Sequence, residues 1–118
     1  MSNDDSPRTR AVRAALGTDT QHGAVVPPIH LTSTFAFAGF GAKRTYDYSR
    51  SGNPTRDALA GALAGQEGGA GAVVTASGMA AVSLVTQLLR PDQLAVVPHD
   101  CYGGTYRLFN ALRERGAL

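Results

Sequence analysis

One cysteine, Cys101, and one lysine, Lys43, stand among 118 residues. A single thiol excludes an internal disulfide framework and suits a reducing compartment. Net charge is only +2, and no run of basic residues is dense enough for a nucleic-acid patch. The opening "MSNDDSPRTR" is polar and lacks an apolar h-region, so no signal peptide is expected. The long apolar stretch from Ala70 to Leu89 is interrupted by Thr75, Ser77, Gly78, Ser83, Thr86 and Gln87. That pattern reads as a buried strand and helix, not a membrane span. No Walker A sequence occurs, and the Gly-x-Gly of "GQEGGAG" precedes a strand instead of following one, which excludes a dinucleotide fingerprint. His99, Asp100 and Cys101 are too closely spaced for a zinc pattern, so no metal site is expected. With these absences, the expected setting is the cytoplasm, with neither nucleic acid nor membrane as a partner.

Hydrophobic residues make up 43% and charged residues 17%, a globular balance. The length fits one compact domain with a modest core. A short helix is expected from about Thr9 to Leu16, stopped by Gly17. From Gln21 to Phe40 the chain reads as extended and irregular, because Pro27 and Pro28 forbid a helix. "IHLTSTFAF" is rich in β-branched and aromatic residues and could be a strand or an extended arm. About 35 residues without a strong element are unusual in a compact domain. Such arms often pack on a partner subunit.

After Gly52 the pattern changes. Asn53 is a good N-cap and Pro54 suits the first helical position, so Thr55 to Gln66 is expected as a helix ended by Gly68-Gly69. "AGAVVTA" reads as a short buried strand. Ser77 caps "GMAAVSLVTQLL", apolar on most faces and hence expected as a buried helix that ends at Arg90-Pro91. "QLAVVP" reads as a second strand, "HDCYGG" as a loop, and "TYRLFNALRERG" as a helix closed by Gly116. Strands alternating with helices imply an α/β architecture with a parallel sheet and right-handed crossovers. Ligands in such sheets bind beyond the carboxyl ends of the strands. The loops "TASGM" and "PHDCYGG" lie there.

In the first loop, Gly78 and Met79 open a helix whose first N–H groups lack internal partners and suit a phosphate. An ordinary Ser-Gly cap explains the same residues. In the second loop, Tyr102 could stack on a flat heteroaromatic ligand, or be a half-buried loop tyrosine. Cys101 would need a base to act as a nucleophile, and His99 is the only local candidate; a small buried thiol is the favoured reading. His22 and His30 have no partner spacing and receive no role.

The stretch "TYDYSRSGNPTRD" has no apolar period but abundant donors. Tyr48 and Arg50 are two apart, so in an extended segment both point to one face and form a phosphate clamp. Spacing alone does not separate this from a solvated turn that ends in a helix cap.

"YDYSRSGNPTRDAL", "EGGAGAVVTASGMAA" and "PHDCYGGTYRLF", in this order and spacing, resemble the Cys/Met-metabolism family of pyridoxal-phosphate (PLP) enzymes. "QHGAVVPPIHLTSTF" resembles that family's N-terminal arm. The resemblance runs over nearly the whole chain from Gly17. It implies the N-terminal part of an aspartate-aminotransferase-like large domain (PLP fold type I), preceded by an extended arm. Residues 1–52 would form the arm, packed on a neighbouring subunit, and residues 53–118 the beginning of the cofactor domain. It also implies a tetramer built as a dimer of dimers. Gly78 and Met79 match backbone donors to the cofactor phosphate. Tyr102 matches the ring that stacks on the pyridine and takes a catalytic part. Tyr48 and Arg50 match a pair that reaches the phosphate in the neighbouring active site.

The chemistry implied is trans-sulfuration, with γ-replacement on a homoserine ester by cysteine first. A carbon–sulfur lyase or a homoserine-ester sulfhydrylase is the alternative. Ser51 stands where some members carry a second arginine that meets an acidic substrate. The cofactor-binding lysine and the acidic partner of the pyridine nitrogen match nothing here, and Lys43 matches nothing catalytic. The isolated chain is therefore also readable as a non-catalytic assembly module.

Overall fold

The computed structural model describes residues 6–118. It contains four helices: α1 (Pro7–Val12), α2 (Pro54–Glu67), α3 (Gly78–Thr86) and α4 (Gly103–Glu114). The chain divides into two compact units, one reaching Val74 and the other Thr75–Leu118. Among the described residues no helix is long and apolar enough to cross a membrane.

In the first unit, α1 is capped by Ser6, whose side chain accepts from the Thr9 N–H at 3.2 Å. It ends at Val12, four residues short of the expected Leu16, because the chain turns. Ala15 takes φ +59° and Gly17 φ +66°, left-handed conformations that no α-helix accommodates. The Gly17 N–H then bonds the Val25 carbonyl at 3.0 Å. α2 packs against α1, and the Gln66 amide donates to the Pro7 carbonyl at 3.1 Å. It begins where the sequence places it: the Asn53 side chain accepts from the Thr55 N–H at 2.9 Å, and Pro54 follows. Gly68, at φ +65°, closes it in the left-handed cap that glycine adopts without penalty.

Between α1 and α2 the arm doubles back on itself. Phe35 N–H bonds the Asp47 carbonyl at 2.9 Å and Ser49 N–H the Ser33 carbonyl at 2.8 Å, across an antiparallel bridge of Thr34 with Tyr48. A tight turn at Gly39–Ala42, with Gly41 at φ +67°, reverses the chain. The rings of Phe35 and Tyr46 lie 5.4 Å apart. The stretch "IHLTSTFAF" is thus neither a full strand nor a plain arm. It is one side of a hairpin held by isolated bridges.

In the second unit, Ser77 caps α3 by accepting from the Ala80 N–H at 3.1 Å. The helix ends at Thr86 instead of Leu89. The Thr86 hydroxyl donates to the Ser83 carbonyl at 2.7 Å, and the Gln87 amide donates to the same oxygen at 3.4 Å. Side chains thereby claim an acceptor the next turn would use, and residues 87–89 fall into tighter i→i−3 bonds. α4 starts two residues earlier than expected, because Gly103 and Gly104 belong to its first turn. It packs on α3.

Three expectations fail here. "AGAVVTA" and "QLAVVP" join no ladder among the described residues, since a strand exists only where another strand meets its N–H and C=O groups. No hydrophobic side chain among the described residues is buried, so the modest core is absent. α3 is not buried either: Val85 is 60% exposed, and its one buried residue is Thr86. A helix apolar on most faces needs cover on more than one side. In this unit α4 is the one helix packed against it.

Candidate functional site

The candidate residues fall into two clusters, one in each unit. The first surrounds the turn at Tyr48–Gly52. The N–H groups of Ser51 and Gly52 bond the Tyr48 carbonyl at 3.0 and 3.1 Å, and the Ser51 hydroxyl donates to it at 2.8 Å. The extended chain thus ends at Tyr48, in its bridge to Thr34, and Arg50 lies in the turn that follows, not in an extended segment that would align alternate side chains. They meet nonetheless, with the Arg50 guanidinium carbon 4.9 Å from the centroid of the Tyr48 ring. This stacking keeps the guanidinium beside the phenol, and both residues are exposed. Tyr48 is 41% exposed.

Two residues hold this turn, and sequence reasoning assigned them less. Arg56 donates from its two terminal nitrogens to the carbonyls of Ser49 at 2.9 Å and Arg50 at 3.3 Å. Asn53, read only as a helix cap, is one of two buried polar residues among those described. Its amide nitrogen donates to the Ser49 hydroxyl at 2.9 Å and to the His30 carbonyl at 3.2 Å. The His30 N–H in turn donates to the Thr55 hydroxyl at 2.9 Å. His30 thus has a structural part through its backbone. A signal for Arg56 existed: it occupies the third position of α2, where the helix dipole disfavours a cation. An arginine there needs another reason, and the two carbonyls supply it.

Around this turn the electrostatics are local. Lys43 approaches the Asp47 carboxylate at 3.1 Å. Lys43 foremost, then the Tyr48 N–H and the Ser51 hydroxyl, hold the Asp47 carboxyl below its usual value. Burial, followed by a hydrogen bond to the Asp57 carboxylate, pushes the Tyr46 phenol above its usual value.

The second cluster is an open hollow of about 580 Å³ lined by Ser77, Gly78, Met79, Val82, Tyr102 and Thr105. Gly78 and Met79 occupy the first two positions of α3, where no intrahelical acceptor exists. Ser77 satisfies Ala80 by its hydroxyl and Ala81 by its carbonyl, so the dipole's positive end opens through Gly78 and Met79. Tyr102 immediately precedes α4, and its carbonyl accepts from the Tyr106 N–H at 3.1 Å. Tyr102 is 72% exposed. The sequence placed these residues on two loops, and the structure puts them around one hollow.

Cys101 is half-buried and not fully buried. It lines a different hollow of about 450 Å³, with His99, Tyr106, Phe109 and Arg113. Among the described residues no group of three His, Cys, Asp or Glu side chains could hold a metal ion.

Residues 8–118 match the model of the "Cys/Met metabolism PLP-dependent enzyme" family. The chain is 61% identical over 109 residues to cystathionine γ-synthase of Escherichia coli strain K12, covering 92% of this chain and 28% of that protein. It is 44% identical over 109 residues to cystathionine β-lyase of Coxiella burnetii, again 92% of this chain and 28% of the relative. Among solved structures, cystathionine γ-synthase from Xanthomonas oryzae pv. oryzae, in complex with aminoacrylate and cysteine, aligns with a TM-score of 0.90 at 58% identity. That alignment covers 96% of this chain and 30% of the solved one. The chain thus spans somewhat under a third of the length of these relatives. With a match running from Arg8 to Leu118 and identities far above what shared architecture alone produces, the chain belongs to the Cys/Met metabolism family of PLP-dependent enzymes.

Proposed function

We propose that these residues are the N-terminal part of a cystathionine γ-synthase. That enzyme would replace the ester group of an activated homoserine, such as O-succinylhomoserine, with the sulfur of cysteine. The observation that carries this reading is the 61% identity to a γ-synthase, against 44% to a β-lyase over the same number of residues. The parent protein is accordingly a PLP-dependent enzyme.

The hollow's donor set suits the cofactor. A phosphate is an anion with several acceptor oxygens, and the first N–H groups of α3, from Gly78 and Met79, are donors at a positive helix end. A flat aromatic ring suits the face of Tyr102, which lines the same hollow. When bound, the cofactor supplies an electron sink for bond making and breaking at the amino acid. The chain's own residues do the rest. Gly78 and Met79 orient the phosphate. Tyr102 covers one face of the ring, excludes water from it, and lends its hydroxyl to proton transfer. Tyr48 and Arg50 serve the phosphate of the neighbouring subunit's cofactor, a role supported by an exposed guanidinium stacked on a phenol. Arg50 suits it better than a lysine would, because its planar fork meets two phosphate oxygens at once.

In this reading residues 1–52 form an arm on a neighbouring subunit of a tetramer. Exposed Val25, Val26, Ile29, Leu31, Phe37 and Phe40 support it. Residues 53–118 begin the large α/β domain, and "AGAVVTA" and "QLAVVP" become strands where that domain provides partners. The setting is cytoplasmic. No lysine here serves the cofactor, so the 118 residues alone are inactive and act as an assembly and phosphate-binding part.

The rival reading is a carbon–sulfur lyase. Ser51, where some synthases have a second arginine for an acidic substrate, and the 44% identity to a β-lyase speak for it. Steady-state assays of the full-length protein separate the two. Turnover of O-succinylhomoserine with cysteine supports the synthase, and turnover of cystathionine alone overturns it. Borohydride treatment of the 118-residue chain with PLP tests the rest. A stoichiometric, specific adduct would refute the claim that the chain lacks a covalent cofactor site.

A further inference from the structure

We infer that Gly104 is a positioning residue for Tyr102: the Cβ it lacks is the space in which the phenol ring rests beside the start of α3. A Cβ at Gly104 would lie 2.7 Å from Tyr102 Cε1, 3.1 Å from Tyr102 Cδ1 and 2.8 Å from Met79 Sδ. Favourable carbon contacts begin at roughly 3.5 Å, so the ring, the thioether or both would have to move. Met79 is flexible and can withdraw its end. The ring is rigid and leaves only by turning as a whole.

Nothing in the backbone demands glycine at this position. Gly104 lies within the first turn of α4 and is absent from the glycines with positive φ. Glycine in a helix is less favourable than alanine, so a reason other than conformation is needed. The adjacent glycine supplies the contrast. A Cβ at Gly103 would meet nothing closer than Arg107 Nη1 at 3.5 Å, an ordinary contact. Two neighbouring glycines in one turn thus differ in the one respect that matters. Thr105, next along α4, lies with its hydroxyl 4.0 Å from Met79 Sδ, so two successive residues of α4 set the floor on which Met79 and Tyr102 meet. Met79, Tyr102 and Thr105 line the hollow, and Gly104 does not. The role assigned is steric: Gly104 fixes how far the ring reaches over the N-terminal amides of α3.

This inference rests on the reading of Tyr102 as the face against the cofactor ring, and the test separates the two. In the full-length protein, Gly104→Ala, Gly103→Ala, Tyr102→Ala and Tyr102→Ala/Gly104→Ala are compared. The PLP dissociation constant and the visible circular dichroism of the bound cofactor are the readouts. Gly104→Ala is expected to weaken PLP binding about three- to tenfold, the scale of one aromatic contact, and to change the dichroic band. Gly103→Ala should change neither. Adding Gly104→Ala to Tyr102→Ala should cost nothing more.

If Tyr102→Ala weakens binding while Gly104→Ala behaves like Gly103→Ala, the inference is overturned and the reading of Tyr102 stands. If Tyr102→Ala changes nothing, the reading of Tyr102 falls and the inference with it. Should Gly104→Ala fail to fold, the double variant must fold, because removing the ring leaves only the Met79 thioether in the way, and that flexible end can withdraw. Failure of that rescue also overturns the inference.

Discussion

In the first unit, Asn53 and Arg56 donate four side-chain hydrogen bonds into residues 30, 49 and 50, and the turn that presents Tyr48 and Arg50 is held by them. In the second unit, Tyr102 precedes its helix with no side-chain cap bond, and its ring and the Met79 thioether both lie where a Cβ at Gly104 would fall. One cluster is a polar lattice whose bonds to the turn cross only four to seven residues of chain. The other is a steric seat between two helices, with contacts 26 residues apart. A polar lattice of short span needs no hydrophobic core. A steric seat depends on two helices keeping their distance, and those helices have uncovered apolar faces. The first cluster should therefore answer to single polar substitutions, and the second to whatever covers α3.

The largest effect is expected at Arg50. Arg50→Ala in the full-length protein should lower PLP affinity about ten- to a hundredfold, because a charge-assisted bond contributes about 1.5–3 kcal/mol. Arg50→Lys should recover only part of it. Subunit mixing sharpens this. An Arg50→Ala subunit combined with one lacking the cofactor-binding lysine should regain part of the activity, since one site of the dimer then carries both defects and the other neither. No recovery despite demonstrated subunit exchange would mean that Arg50 serves its own subunit.

Breaking the lattice comes next. Asn53→Ala removes a helix cap and leaves the His30 carbonyl and Ser49 hydroxyl without their donor. Chemical denaturation of the full-length protein should register a loss of about 1–3 kcal/mol. Arg56→Gln should instead weaken PLP binding with a smaller loss of stability. If Arg56→Gln binds PLP normally, Arg56 does not position Arg50. The matching change in the second unit, Ser77→Ala, removes one cap and should cost about 1 kcal/mol. A larger loss there would mean that the α3 cap matters more than the lattice, reversing the comparison.

For the 118 residues alone, exposed Leu84, Val85, Leu88, Leu94 and Val96 predict binding of a hydrophobic dye, with aggregation at higher concentration. A sharp, reversible thermal transition of a monodisperse monomer would contradict it.

The smallest effects come from pH, and both belong to the first unit. Asp47 is held below its ordinary value, so its contribution is present above the usual carboxylate range. It is lost as pH falls through the lowered folded value. Tyr46 is raised, so its contribution is full below the ordinary tyrosine value and fades as pH climbs through the raised one. Asp47→Asn should flatten the acid side of the stability curve and leave the alkaline side as it was. Tyr46→Phe should do the reverse.

The beginnings of α2 and α3 were legible because their caps are written within a few residues, whereas α1 and α4 each start about two residues ahead of the expected place. Asn53-Pro54 opens α2 and Ser77 opens α3, as their side chains accept from N–H groups two and three positions ahead. Helix ends were less so. α3 stops early through the bonds Thr86 and Gln87 make to Ser83, a competition that apolar periodicity does not register. The hairpin at residues 33–49 was hidden, because single bridges leave no alternation to read. Of the candidate site, Tyr48, Arg50, Gly78, Met79 and Tyr102 stood out by residue type and by resemblance. Asn53 passed as a cap alone, and Arg56 passed unread.

The sequence by itself thus determined where α2 and α3 begin, where glycine closes α2, and which side chains offer donors or an aromatic face. These follow from bonds and dihedral preferences that span two to five residues. Only the tertiary structure decided that Arg50 lies over Tyr48, that Arg56 reaches back to two carbonyls, and that Met79 and Tyr102 share the space left by Gly104. Each of these depends on the path of the chain between the partners, and no local preference specifies that path.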